Sequence, residues 1–252
     1  MSIYRKFARI YTGGKYTDFS SKMCEYLPAA LSALDVGPGD ILDIACGEGT
    51  FAVSASGLGF HLTGLDRSEE MLEFARTRAR RTGANVDFVR ADMRAIPFVG
   101  RFDLATCWYD SLNYILKQPE LVAVFRNVAG ALRPGGLFIF DMNTTHGLAV
   151  EWRENPCYVM QDNAAVFEVH RQEYDFESGI AHMHITGFVR DGTTWERIDE
   201  YHRERAYTQK VIRGSLHDAG FQVLASWGSF RDRSEPTSES PRVWYVAKTT
   251  EG

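Results

Sequence analysis

Three carboxylates stand out for the residues around them. Asp43 sits inside the apolar run Ile41-Leu42-Asp43-Ile44-Ala45, which leads directly into Cys46-Gly47-Glu48-Gly49-Thr50. Asp66 closes the apolar run Phe60 to Leu65, and Asp92 follows Val86 to Arg90. A carboxylate within a buried strand is a poor packing group. It can accept hydrogen bonds from a bound cation, or hold the neighbouring turn through its amides. Gly47 and Gly49 let backbone N–H groups approach a ligand at a helix N-terminus with no Cβ in the way. A carboxylate ending a second strand can accept both hydroxyls of an adenosine ribose. Its plainer role would be a helix cap, but Ser68 already supplies one.

A second group follows the fourth strand. Arg101 to Tyr109 reads as that strand, and Asp110-Ser111-Leu112-Asn113-Tyr114-Ile115 leaves its C-terminal end. Ligands of open α/β sheets lie there. Asp110 is the leading residue for holding a substrate or taking its proton, with Tyr109, Ser111, Asn113 and Tyr114 beside it. Asp110 or Ser111 as a cap on the next short helix is the plainer alternative. Asn143, in Asp141-Met142-Asn143, ends the fifth strand and can reach the same region. Further on, His182 and His184 share one strand face, as do Glu200 and His202. Such pairs suit a metal, but no third ligand stands at a telling spacing. No metal is expected, and solvation on the open face of a half-exposed sheet explains the pairs more simply.

These groups need elements to hold them. Strand-like runs alternate with helical ones from Ile41 to Asp141. Thr50 to Gly57, Ser68 to Arg81 and Glu120 to Leu132 read as helices, and Leu137 to Asp141 as the fifth strand. Residues 1–34 read as an amphipathic helical lid broken at Gly13-Gly14. From about 158 to 205 the period changes to alternation, with turn signals at Ser178-Gly179 and Asp191-Gly192. Three strands are expected there: Val166 to Phe176, Ile180 to Arg190 and Thr193 to Tyr207. A helix from Thr208 to Asp218 and two strands, Phe221 to Ser226 and Val243 to Lys248, complete the chain. The domain reading is a lid (1–34), a nucleotide-binding core (35–157 and 206–252) and an antiparallel β insertion (158–205).

The strand-acid-Gly-x-Gly stretch at 41–49, Asp66, Asp92-Met93 and Leu132-Arg133-Pro134-Gly135-Gly136 together resemble the class I methyltransferases that use S-adenosylmethionine. The resemblance implies a Rossmann-like seven-stranded α/β sheet with helices on both faces, plus an antiparallel β cap inserted after strand five. It implies cofactor contacts at Asp43, Ala45, Gly47, Gly49, Asp66, Arg67, Met71, Asp92, Met93, Cys107 and Trp108. Asp92 would take the adenine amino group. Tyr11 and Tyr16 of the lid would face the sulfonium, since an aromatic face attracts a cation. Asp110, Tyr109 and Tyr114 would be catalytic, and Ser111, Asn113, Asn143, Glu200 and His202 would bind the acceptor. The order of elements is similar to that of small-molecule members such as amino-sugar N-methyltransferases, whose sheet roofs the site. The expected reaction is in-line methyl transfer to a small amine or hydroxyl, driven mainly by positioning.

Gly47-x-Gly49-x-x-Ala52 also fits a nicotinamide dinucleotide turn. An NAD-type oxidoreductase is therefore a second reading, opposed by Asp92 and the terminal strand pair. A non-catalytic S-adenosylmethionine-binding module is a third. The chain has 252 residues and a net charge of −5, which gives no general basic surface for nucleic acid. Four scattered cysteines suggest reduced thiols in the cytoplasm, and no apolar run suits a bilayer. The expected partner is a small-molecule acceptor, with no nucleic acid and no membrane; a homodimer is left open.

Overall fold

The computed structural model describes residues 4, 6–12, 16–35, 37 and 39–250. The Gly13-Gly14 break and the turn residues Val36 and Pro38 lie outside them. Two short apolar-faced helices, α1 (Ala8–Thr12) and α2 (Thr17–Ala33), open the chain. Five strands follow with their crossovers: β1 (Asp40–Ile44), α3 (Thr50–Ser56), β2 (His61–Asp66), α4 (Glu69–Thr82), β3 (Val86–Arg90), β4 (Phe102–Cys107), α5 (Gln118–Ala131) and β5 (Leu132–Asn143). They pair in parallel, in the order β5-β4-β1-β2-β3. Their burial on both faces explains why they read as continuous apolar runs.

α2 and α3 bury Met23, Leu27, Phe51 and Ala52 on one face of the sheet. The other face carries Leu121, Val124 and Phe125 of α5. Ser68 caps α4, its Oγ accepting from the Met71 amide at 3.3 Å. Strand order reverses between β1 and β4, which opens a crevice at the carboxyl ends of those strands.

β5 begins at Leu132, five residues before the expected start. Leu132 pairs with Phe102 ahead of a register shift, so Arg133 to Gly136 is an irregular part of the strand as well as a helix stop. After β5, a π-turn (Gly147–Glu151) and a short helix α6 (Trp152–Glu154) lead to a separate antiparallel sheet. This sheet has four strands where three were expected: β6 (Cys157–Asp162), β7 (Val166–Asp175), β8 (Ile180–Asp191) and β9 (Thr194–Arg205). β6 escaped because it is mostly exposed and carries a bulge, so its alternation is weak. Gly179 and Gly192 adopt the positive φ that their hairpin turns demand. The chain returns through α7 (Gln209–Asp218), which packs Ile212 and Leu216 beside α5. It ends in the antiparallel pair β10 (Phe221–Trp227) and β11 (Arg242–Thr249), completing a seven-stranded sheet against β5.

α1 rests on the β cap. Phe7 and Ile10 pack with Val166, Ile185, Val189 and Ile198. Gly187 makes room for them: a Cβ there would stand 2.2 Å from Ile10 Cδ1.

The turn that starts α3 is equally tight. Gly49 has φ +80°, and a Cβ on it would come within 2.9 Å of Ala75 Cβ and 3.2 Å of Ala75 Cα. Left-handed strain and overpacking then add. Gly49→Ala is expected to lose about 2–4 kcal/mol of stability, read as a lower urea midpoint with an unchanged m-value.

Candidate active site

The crevice between β1 and β4 widens into a cleft of about 1060 Å³, open on one side. That volume includes the solvent at its open mouth. Its floor is the turn after β1, where Ala45 and Gly47 both take positive φ. Asp66 braces this turn. Its Oδ2 accepts from the Gly47 amide at 2.9 Å and its Oδ1 from the Ser68 amide at 2.8 Å. Burial raises its pKa, and the two amides oppose that shift. Asp43 is deeper. Burial pushes its carboxyl up to about 8, against the Thr106 hydroxyl bond at 3.1 Å and with help from nearby Asp66 and Glu48. Its Oδ2 has no hydrogen-bond partner among the described residues, and neither has Trp108 Nε1. Asp92 lies at the third strand end, where Arg94 binds it through Nε at 2.9 Å and holds its pKa below the usual range. The Asp92 carboxylate also accepts from the Arg94 amide, so it stiffens its turn and lines the cleft together.

Of the residues singled out from sequence, Tyr11, Asp43, Ala45, Gly47, Asp66, Arg67, Met71, Asp92, Met93, Trp108, Tyr109, Ser111 and Tyr114 line this one cleft. Others do not. Gly49 faces Ala75 and Phe88, and Cys107 is fully buried in the core. Tyr16 lies behind Tyr11, their rings stacked 4.5 Å apart. The Tyr16 hydroxyl meets Glu168 and, at 3.0 Å, His170 Nε2, so the expectation that it faces the cofactor is corrected. Tyr4, Cys46 and Glu48 also line the cleft and were missed. Glu48 was hidden by its surface-like type, yet it is buried through its ion pair with Arg78.

The second half of the site follows β4. Tyr109 and Asp110 have φ of 58° and 53°, a strained conformation for residues with a Cβ. Asp141, on β5, holds them there by accepting from both amides, at 2.7 and 2.9 Å. Arg242, at the start of β11, bonds Asp141 and reaches Asp110 Oδ1 at 2.6 Å. Its guanidinium also lies 4.9 Å from the Phe19 ring centre. The Asp110 carboxylate is thus engaged by a cation and makes no cap bond to the following 3-10 turn (Ser111–Tyr114). A free base at this position is not what the fold provides. Asn113 is buried and structural: its side chain bonds the Asn143 and Arg205 carbonyls and the Asn143 amide. The Asn143 side chain donates to Glu204 at 3.0 Å, away from the cleft lining.

The buried face of the cap carries polar groups among its apolar ones, which reverses the expected faces. Glu168 and His170 on β7, and Glu200, His202 and Glu204 on β9, are all buried. The open face carries His184, bonded to Asp199 at 2.9 Å and stacked on Tyr201. Among the described residues no three His, Cys, Asp or Glu side chains converge as a metal-ligand set. Glu168 takes bonds from Tyr16, from His170 at 2.6 Å and from Gln161 at 2.5 Å. Glu200 accepts the Tyr4 amide. His202 Nδ1 lies 2.7 Å from the Tyr114 hydroxyl, which is 3.1 Å from that of Tyr4.

Burial lowers the His202 pKa to about 4, with His170 and Arg67 adding to the shift. The unfolded chain therefore binds a proton below about pH 6.5 that the folded one refuses. The contribution of a neutral His202 is complete above pH 6.5 and falls away as pH drops toward 4. It amounts to about 3 kcal/mol. Stability against pH for wild type and His202→Gln should show this slope in the first and its loss in the second.

The comparisons with known proteins agree with this geometry. Residues 41–136 match the family model described as a methyltransferase domain. A protein of Geobacillus sp. (strain WCH70) assigned as a methyltransferase is 33% identical over 218 residues, covering 82% of this chain and 83% of its own. An S-adenosylmethionine-dependent methyltransferase from Clostridium acetobutylicum ATCC 824 superposes with a TM-score of 0.84 at 28% identity, covering 99% of this chain and 100% of its own. The sugar N-methyltransferase KedS8 from Streptoalloteichus sp ATCC 53650 shares the fold, with a TM-score of 0.74 at 18% identity over 100% of this chain and 97% of its own.

A Rossmann-like sheet with a cleft at its switch point and acids in or at the ends of its first three strands has the form of a nucleotide-binding α/β protein. The chain belongs to the class I S-adenosylmethionine-dependent methyltransferases. The residues present fit that methyl donor. Asp66 stands at the second strand end where a ribose is held, and Asp43 and Trp108 keep buried polar atoms unpaired beside the cleft. When bound, the donor supplies a sulfonium-activated methyl group. No helix among the described residues is long and apolar enough to cross a membrane.

Proposed function

We propose that the acceptor is a small molecule carrying a hydroxyl or amine, held under the β cap while the methyl group is transferred in line. The observation that carries this reading is the contact between the buried polar groups of the cap and the cleft wall: His202 of β9 bonds Tyr114, which lines the cleft beside Tyr4. A roof of this kind supports an enclosed metabolite rather than a polymer, and the net charge of −5 offers nucleic acid no general footing. Residues 1–34 act as a lid, 158–205 as the cap, and 35–157 with 206–252 as the methyltransferase core. The working compartment is the cytoplasm. Positioning supplies most of the acceleration, because a sulfonium is already an active methyl donor and effective molarities reach about 10⁵–10⁸ M. The test is turnover with methyl-labelled S-adenosylmethionine against amino sugars, phenols and alcohols, beside a protein and a nucleic-acid substrate pool. Label in a small molecule supports the reading; label only in polymer sinks it.

A further inference from the structure

Tyr114 and the Glu200–His202 pair come from distant parts of the chain and meet beside the cleft. Tyr114 ends the 3-10 turn after β4 and lines the cleft. Its hydroxyl is 2.7 Å from His202 Nδ1, on β9 of the cap. The other nitrogen of the ring, Nε2, is buried and has no hydrogen-bond partner among the described residues. It points toward Glu200 Oε1 at 4.0 Å, two residues away on the same strand face. The other neighbour of the Tyr114 oxygen is the Tyr4 hydroxyl at 3.1 Å, which can donate to it. With that bond made and its own proton given to His202, the Tyr114 oxygen keeps a free lone pair beside the cleft.

We propose that Glu200, His202 and Tyr114 form a proton relay that takes the proton of a hydroxyl acceptor during methyl transfer. This rests on the small-molecule reading above. The acceptor oxygen bonds the methyl carbon as the C–S bond breaks, its electron pair staying on sulfur to give S-adenosylhomocysteine. The acceptor O–H proton passes to the Tyr114 oxygen, and the Tyr114 proton passes to His202 Nδ1. The imidazolium formed carries Nε2–H toward the Glu200 carboxylate, and it returns its proton to solvent once product leaves. Tyr114 is the catalytic residue of the three; His202 and Glu200 act through it.

The chemistry of the base selects the acceptor. A hydroxyl proton becomes strongly acidic only as the new C–O bond forms, so a weak neutral base near it is enough. An alkylammonium holds its proton far more tightly than an imidazole in this pocket, where burial lowers the His202 pKa. A neutral amine, in turn, needs no base. The groups facing His202 are Tyr4 and Phe7 of the N-terminal segment, Tyr114, His170 of β7, Arg67 and its own neighbour Glu200. His170 and Arg67 disfavour the imidazolium, whereas an ionised Glu200 favours it.

Nitrogen-15 NMR of the histidine rings, with S-adenosylhomocysteine bound, decides the first point without turnover. The relay requires His202 as the Nε2–H tautomer, with a bare Nδ1 whose resonance shifts in Tyr114→Phe. An Nδ1–H tautomer overturns the relay, because that nitrogen could take no proton. Calorimetry with the same ligand separately reports whether the cofactor site is intact. The second point uses probes that offer both atoms, 2-aminophenol and glucosamine, with product mass spectrometry. O-methyl product whose kcat falls about 100-fold or more in His202→Gln and Tyr114→Phe, with KM within a few-fold and the acid limb of the pH profile lost, supports the proposal. N-methyl product formed equally well by His202→Gln overturns it. If neither probe turns over, the tautomer decides.

Discussion

Asp66→Ala is expected to weaken binding of both S-adenosylmethionine and S-adenosylhomocysteine by about 100-fold or more. Two effects add. Among the described residues the carboxylate is the one group bracing the Gly47 and Ser68 amides, and charged hydrogen bonds of this kind are worth about 1.5–3 kcal/mol each. The same carboxylate occupies the strand end where ribose hydroxyls are held. Titration calorimetry on wild type and variant, at matched folded fraction, measures the effect. Asp66→Asn separates the two contributions. It keeps one acceptor oxygen and should bind between the other two proteins. Undiminished affinity in Asp66→Ala would remove Asp66 from the cofactor site.

Arg242→Ala is expected to cost about 3–5 kcal/mol of stability and nearly all turnover. Asp141 is fully buried and Asp110 nearly so, and Arg242 is the cation both of them face. Removing one partner of a buried ionic cluster leaves uncompensated charge, which costs far more than a surface pair. The loss also reaches the site directly. Tyr109 and Asp110 stay in their left-handed conformation because Asp141 holds both amides. With Asp141 protonated or turned away, that strain has nothing to oppose it, and the cleft wall at Tyr109 and Ser111 relaxes. Chemical denaturation gives the stability term. The double variant Arg242→Met with Asp141→Asn should recover much of the stability but little turnover, because the charge problem is solved while the loop geometry is not. Equal recovery of both would mean that the cluster is a stability device only.

How much of this was legible in the sequence depended on range. The parallel core was readable because its signals are local: apolar runs of strand length, glycines at the turn after β1 and acids at strand ends. Ser68 and Thr208 announced their helices for the same reason, each capping an amide three residues on. The cap was readable as alternation, but alternation gives only a period. It cannot say which face is covered, and a polar face reads as the wet one by default. The structure buries Glu168, His170, Glu200 and His202 because the N-terminal segment and the β4 loop offer them hydroxyls and amides, partners that lie far off in sequence. Arg242 was missed on the same grounds. Its two carboxylates stand 132 and 101 residues earlier, so nothing around Pro241-Arg242-Val243 marks it. Asp110 was noticed, but its cation was not, and without the cation it looked like a base.

The seating of α1 on the cap has a consequence for how the molecule assembles. Tyr16 finds Glu168 across 152 positions of chain, and Ile10 finds the notch at Gly187. Contacts of such sequence separation form slowly, because a long loop must close before they return any free energy. During synthesis the segment carrying Phe7, Ile10 and Tyr16 is therefore made long before it can find its place. Phe7, Ile10 and Tyr16 stay without their packing partners until the strands around 166 to 198 have been made and paired. The parallel strands β1 to β4, built from local βα units, pair well before that, whereas the cleft wall at Tyr109 and Asp110 waits for Arg242 of β11. A nascent or truncated chain ending near residue 150 would lack both the cap and β11 with its Arg242, and would leave the edge of β5 and the apolar N-terminal arm uncovered. Such a species is expected to aggregate.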